Sequence, residues 1–175
     1  GDIGNTNQGY ITFFYDYLGV DAVTLHPYMG KESLQPFLDR KDKAAIILCR
    51  TSNPGAGEFQ DLEIDGSPLY EHVAREVSQS WNKNENCMLV IGATYPDEMK
   101  RIREIVGPDM HFLVPGIGAQ GGDIEATLTA GLGANKRGIV VHSGRDIMFA
   151  GSGEDYAEKS RLRAEATRDE INKYR

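Results

Sequence analysis

The sequence predicts an α/β fold in which parallel strands alternate with helices, arranged as the later part of a (β/α)8 barrel. Three observations carry that prediction. Short apolar runs recur at 22–25, 44–49, 88–91, 112–114 and 139–141, each followed by a helix-like segment; this alternation means a doubly wound sheet or a β/α barrel. The runs are apolar throughout instead of alternating, the mark of a parallel sheet covered on both faces. Polar turn residues follow nearly every run on the same side: His26-Pro27, Thr51-Ser52-Asn53, Ala93-Thr94, Pro115-Gly116 and His142-Ser143-Gly144-Arg145. In a barrel all of these turns face one pocket, whereas in an open sheet only those beside the switch point do. A five-stranded doubly wound sheet is the fold alternative, since it needs no further strands.

Each element has its own reason. A helix is predicted over 6–18, with Tyr10, Phe13, Phe14 and Tyr17 at helical spacing and Gly19 closing it. That aromatic stripe reads as packing surface. Strand 22–25 ends at His26-Pro27 and leads to a helix over 31–39. Strand 44–49 is bounded by Lys41-Asp42-Lys43 and by Arg50-Thr51-Ser52-Asn53-Pro54; a long turn, 52–66, then precedes a helix over 68–81. After strand 88–91, the helix over 96–106 carries Pro96 in its first turn, where the missing N–H costs nothing. Strand 112–114, helix 123–130, strand 139–141 and a charged helix over 155–173 follow. Mixed charges at i,i+4 spacing give that last helix a solvated face.

The bulk composition is permissive. The 175 residues, 40% hydrophobic and 26% charged, are ordinary for one soluble globular domain, and 1–175 reads as a single domain. A net charge of −7 and a pI near 5.1 argue against a general nucleic-acid surface but not against a small anionic ligand. Cys49 and Cys87 lie in apolar runs and read as buried free thiols, which fits a reducing, cytoplasmic compartment. No stretch approaches the ~20 apolar residues of a membrane span. His26 and His142 fall at strand ends without a carboxylate at ligand spacing, so no metal site is expected.

The most informative stretch is Val114-Pro115-Gly116-Ile117-Gly118-Ala119-Gln120-Gly121-Gly122-Asp123, with its echo Val141-His142-Ser143-Gly144-Arg145-Asp146. A strand breaking into glycines before a helix leaves backbone N–H groups free to converge on an anion. Two such turns after consecutive strands are what the phosphate site after strands 7 and 8 of a barrel requires. Arg145 adds a planar fork for phosphate oxygens and Gln120 an amide donor.

Taken together, Gly1-Asp2-Ile3-Gly4-Asn5-Thr6, Ser52-Asn53-Pro54-Gly55-Ala56, the 114–123 block and Ser143-Gly144-Arg145 resemble orotidine 5′-monophosphate decarboxylases, in order and with suitable spacing. The resemblance implies a dimeric TIM (β/α)8 barrel that removes the C6 carboxylate of orotidylate to give uridylate in pyrimidine biosynthesis, with neither metal nor organic cofactor. It implies no nucleic-acid or membrane partner. The family hallmark is an Asp-x-Lys-x-x-Asp run at the end of the third strand, followed by Ile; Asp2-Ile3 match its last two positions. The proton-donating lysine and the first three strands are therefore expected upstream of Gly1. On that reading 1–175 is the C-terminal part of the barrel, holding about strands 4–8 and helices 3–8, and by itself lacks the catalytic lysine.

Residue by residue, the resemblance gives Asp2 a catalytic place, reaching across the dimer to the ribose and anchoring the lysine. Thr6 resembles the residue that also reaches the partner's ribose, and Ser52 the one that hydrogen-bonds the pyrimidine. Pro115 resembles the apolar wall beside the reacting carbon. Gln120 resembles the phosphate contact on the loop after the seventh strand, and Gly144 with Arg145 the fixed phosphate site. Two alternatives stay open: another phosphate-binding barrel enzyme acting on a sugar phosphate, and a non-catalytic nucleotide-binding fragment. Fusion to a phosphoribosyltransferase is also left open.

Overall fold

Five parallel strands hydrogen-bond in the order in which the chain makes them. The computed structural model describes residues 1–118 and 121–175. Its elements are α1 (Gly4–Ile11), β1 (Ala22–Leu25), α2 (Gly30–Leu38), β2 (Ala44–Arg50), α3 (Gly57–Gln60), β3 (Glu63–Ile64), β4 (Ser67–Pro68), α4 (Leu69–Glu76), β5 (Cys87–Ile91), α5 (Pro96–Val106), β6 (His111–Pro115), α6 (Ile124–Gly131), β7 (Ile139–His142), α7 (Gly144–Met148) and α8 (Tyr156–Ile171). The main sheet runs β1-β2-β5-β6-β7, every neighbouring pair parallel. A doubly wound sheet needs a point where this order reverses. The order here never reverses, so the alternative fold is excluded and the sheet is a segment of barrel wall.

Side-chain parity agrees. Leu25, Ala45, Ile47, Cys49, Cys87, Leu89, Ile91, Phe112 and Val114 point one way into a single core with Leu34, Phe37, Ala74, Val77, Met99 and Ile102 of the helices. Helices adjacent in this layer pack on each other: α1 on α2, α4 on α5, α5 on α6 and α6 on α8. The alternate strand residues face the other way: Ile46 and Val90 are buried there, Leu48, Met88 and Leu113 half-buried, and Thr24, Val140 and His142 exposed. Continuous apolarity predicted cover on both faces; among the described residues only one face carries helices. A barrel reconciles the two, because inward side chains pack on those of other strands instead of on a helix.

The aromatic stripe of the first helix packs only in part: Phe14 lies against the core, whereas Tyr10, Phe13 and Tyr17 are 41%, 48% and 78% exposed, and the fully buried positions are Ile11 and Tyr15. The buried face runs 7, 11, 15, so the polar Asn7 stands on it and the stripe lies to one side. Tyr15 packs edge-on against Phe37 and donates its hydroxyl to the Ala44 carbonyl at 3.0 Å. Burial pushes that hydroxyl up to about 12. Beyond Ile11 the helix widens, Leu18 N–H reaching Phe13 C=O at 2.9 Å, and the helix after α4 does the same where Asn82 N–H reaches Val77 C=O.

The long 52–66 turn contains structure of its own. It holds α3 and one strand of the β3–β4 hairpin, whose corner is Asp65-Gly66 with φ of 50° and 77°. Two positive φ values in a two-residue connection are the hairpin turn that Asp-Gly favours.

At the opposite end of the sheet, Arg103 of α5 binds three carbonyls: Gly131 at 2.6 Å, Met110 at 2.6 Å and Gly107 at 2.9 Å. Its guanidinium lies 3.7 Å from the centroid of the buried Phe112 ring. A planar fork can satisfy three acceptors at once where an ammonium cannot. Arg103→Met should therefore cost about 2–4 kcal/mol in urea unfolding, because the carbonyls lose their donor. A loss below about 0.5 kcal/mol would contradict that role.

Both cysteines are free and buried, as the sequence indicates. Burial pushes the Cys87 thiol up to about 11 and Cys49 higher. Their neutral forms favour the folded state. That contribution is complete below the unfolded thiol pKa of about 8.5 and declines as pH rises towards the folded value. Neither thiol should react with a disulfide reagent at about pH 8 in the native protein, and both should in denaturant. Fast native reaction of Cys87 would show that β5 opens readily.

Candidate active site

Because all five strands point the same way, the turns after β1, β2, β5, β6 and β7 lie along one edge. Short contacts join them laterally. Gly92 N–H donates to Arg50 C=O at 2.8 Å and Ala93 N–H to Pro115 C=O at 2.8 Å. The Ser143 hydroxyl donates to Ile117 C=O at 3.2 Å. Gly92 is required by space: a Cβ there would stand 2.7 Å from Ser52 Cβ.

The two glycine-rich turns enclose a cleft of about 90 Å³ lined by Pro115, Gly116, Ile117, His142, Ser143 and the start of α7. Gly116, Gly118 and Gly121 have φ of 104°, 81° and 78°, a region only glycine enters freely. Gly122 N–H closes the turn onto Gly116 C=O at 3.0 Å, and the Asp123 carboxylate caps α6 by accepting Ala126 N–H at 2.7 Å. Asp146 packs against the bare Cα of Gly118, where a Cβ would lie 2.7 Å from Oδ2. Its carboxylate accepts Arg163 Nε of α8 at 2.6 Å. Arg145, next to it, is exposed and makes no salt bridge among the described residues.

The structure thus brings Pro115, Gly144 and Arg145 to one cleft. Ser52 is half-buried on the same edge, at the end of β2, but outside that cleft. Asp2 and Thr6 are exposed at the start of α1 and do not join it. Among the described residues the Asp2 carboxylate accepts only the neighbouring Ile3 N–H, at 2.7 Å. Gly1 lies against the His26 ring, which places this segment over the end of β1. Gln120 lies outside the described residues. Among those residues no three metal-ligating side chains converge.

Sequence reasoning missed the side chains that hold these turns. Asn7, fully buried, accepts Asp2 N–H at 2.9 Å and donates to the Asp2 carbonyl and to Ser33 C=O. Arg50, 3% exposed, stacks 3.9 Å over the Tyr95 ring and pairs with Asp61 at 3.2 Å. A polar residue within an apolar helical face was the signal for Asn7, and a charge ending an apolar strand was the signal for Arg50.

Comparison with known proteins follows the same lines. Residues 1–160 match the family described as Orotidine 5′-phosphate decarboxylase / HUMPS family. A relative from Janthinobacterium sp. (strain Marseille), named orotidine 5′-phosphate decarboxylase, is 51% identical over 99% of this chain and 64% of its own length. Leishmania donovani OMP decarboxylase superposes with a TM-score of 0.88 at 39% identity, covering 99% of this chain and 65% of that one. Leishmania donovani UMP synthase gives 0.85 at 42% identity, covering 94% of this chain and 36% of that one. The chain spans about 64% of the length of the first curated relatives it matches. It belongs to the orotidine 5′-phosphate decarboxylase / HUMPS family.

Proposed function

We propose that the protein carrying this chain decarboxylates orotidine 5′-monophosphate to uridine 5′-monophosphate, in pyrimidine synthesis, as a cytoplasmic homodimer with shared active sites. Family membership and the names of the relatives support the reading. The observation that carries it is the cleft between the two glycine turns, where Asp146 is occupied by Arg163 while Arg145 has no acidic partner among the described residues. An exposed guanidinium beside glycine-rich turns at the mouth of a parallel sheet suits a phosphate.

In this reading Gly144 and Arg145 hold the phosphate and Gln120 closes on it. Ser52 meets the pyrimidine, and Pro115 gives the reacting carbon an apolar wall. Asp2 and Thr6 serve the ribose of the neighbouring subunit, which accords with their exposure and with a cleft lined by other residues in one chain. The C6–carboxylate bond breaks to release carbon dioxide and the electron pair stays on C6. An ammonium of the family's lysine supplies the proton and balances the developing charge. Phosphate contacts far from C6 lower the barrier by driving closure around the reacting carbon.

The full-length protein should therefore convert orotidylate to uridylate, followed by absorbance. Arg145→Ala should lower kcat/KM by about 10²-fold, roughly 2.7 kcal/mol at 1.36 per decade. A change below about threefold would remove Arg145 from the phosphate site. No turnover by the full-length protein would sink the proposed function.

A further inference from the structure

The turn bearing Ser52 is held by a side chain that no part of the proposed chemistry uses. Gln60, the last residue of α3, places both ends of its amide on Thr51: Oε1 accepts Thr51 N–H at 2.9 Å and Nε2 donates to Thr51 Oγ1 at 2.8 Å. Thr51 Oγ1 in turn donates to Asn53 Oδ1 at 2.6 Å, so the residues on either side of Ser52 are tied together. Arg50 Nη1 also donates to Gln60 Oε1, at 3.3 Å, while Arg50 Nη2 reaches Asp61. From the other side Gly92 lets the backbone of β5 close on Ser52. The Ser52 hydroxyl itself makes no hydrogen bond among the described residues, although every neighbour is fixed.

We propose that Gln60 is a positioning residue that sets the Ser52 hydroxyl for reading the base of a pyrimidine nucleotide. The proposal rests on Ser52 being the pyrimidine contact, as proposed above. A turn of this exposure gains little from core packing, and ordering it costs entropy for every residue fixed. A side-chain amide is suited to the task because it donates and accepts at once; a carboxylate keeps only the acceptor. The effect belongs to base recognition and not to phosphate binding, since the Ser52 turn lies outside the cleft that holds Arg145.

The test is calorimetric titration of the full-length protein with uridylate and with ribose 5-phosphate, which lacks the base. Wild type should bind uridylate more tightly. Q60A should weaken uridylate about tenfold and leave ribose 5-phosphate within about twofold, with the melting temperature little changed. Q60E, which keeps the bond from Thr51 N–H, should lie between, and it carries the same comparison should Q60A fail to fold. Equal losses for both ligands, or no loss for either, would overturn the positioning role. A wild type indifferent to the base would remove the reading of Ser52, and the proposal with it.

Discussion

A strand order that follows chain order, with every strand parallel, forces the five turns at the strand ends onto one edge. Side chains and backbone groups far apart in sequence become neighbours there by register alone. Ser52 meets Gly92, Ala93 meets Pro115, and Ile117 meets Ser143, each through an adjacent pair of strands. The same register sends one parity of side chains to the helices and the other into the barrel. Substitution can therefore alter the turns without disturbing the core, as barrels permit.

The buried polar groups are distributed to match. Arg103 sits at the far end of the sheet and satisfies carbonyls of the turn between α5 and β6 and of the last residue of α6. At the edge, Asn7 grips the segment around Asp2, Arg50 with Gln60 and Asp61 grips the turn after β2, and Arg163 holds Asp146 of α7. Each replaces water for a backbone or charged group that the turn would otherwise leave unpaired, and the penalty for leaving such groups unpaired keeps the geometry unique. Polar staples at the edge fix the site; apolar packing fixes the wall behind it.

The strands were legible to within a residue or two because buried parallel strands are continuous apolar runs, as at Cys87–Ile91 and His111–Pro115. The glycine turns were legible because positive φ selects glycine, and Gly116 and Gly118 use it. On the first helix the aromatic stripe was legible and Phe14 of it packs on the core, but the fully buried face of Asn7, Ile11 and Tyr15 was not, since its polar Asn7 breaks the apolar pattern. The Asp65-Gly66 corner carried a hairpin signal that a reading of 52–66 as plain turn passed over. Bonds such as Gln60 to Thr51 span nine residues across an irregular turn, where no periodicity reports them. Gly144 and Arg145, the proposed phosphate contacts, line one cleft with Pro115, whereas Asp2 and Thr6 do not line it within one chain.

The most direct measurement is a crystal structure of the full-length protein with uridylate bound. The phosphate should lie between the 116–118 turn and Gly144-Arg145, with the base against Ser52 and Pro115 and with Asp2 and Thr6 at the ribose of the neighbouring subunit. A nucleotide bound at the opposite ends of the strands, or a phosphate distant from Arg145, would contradict this arrangement.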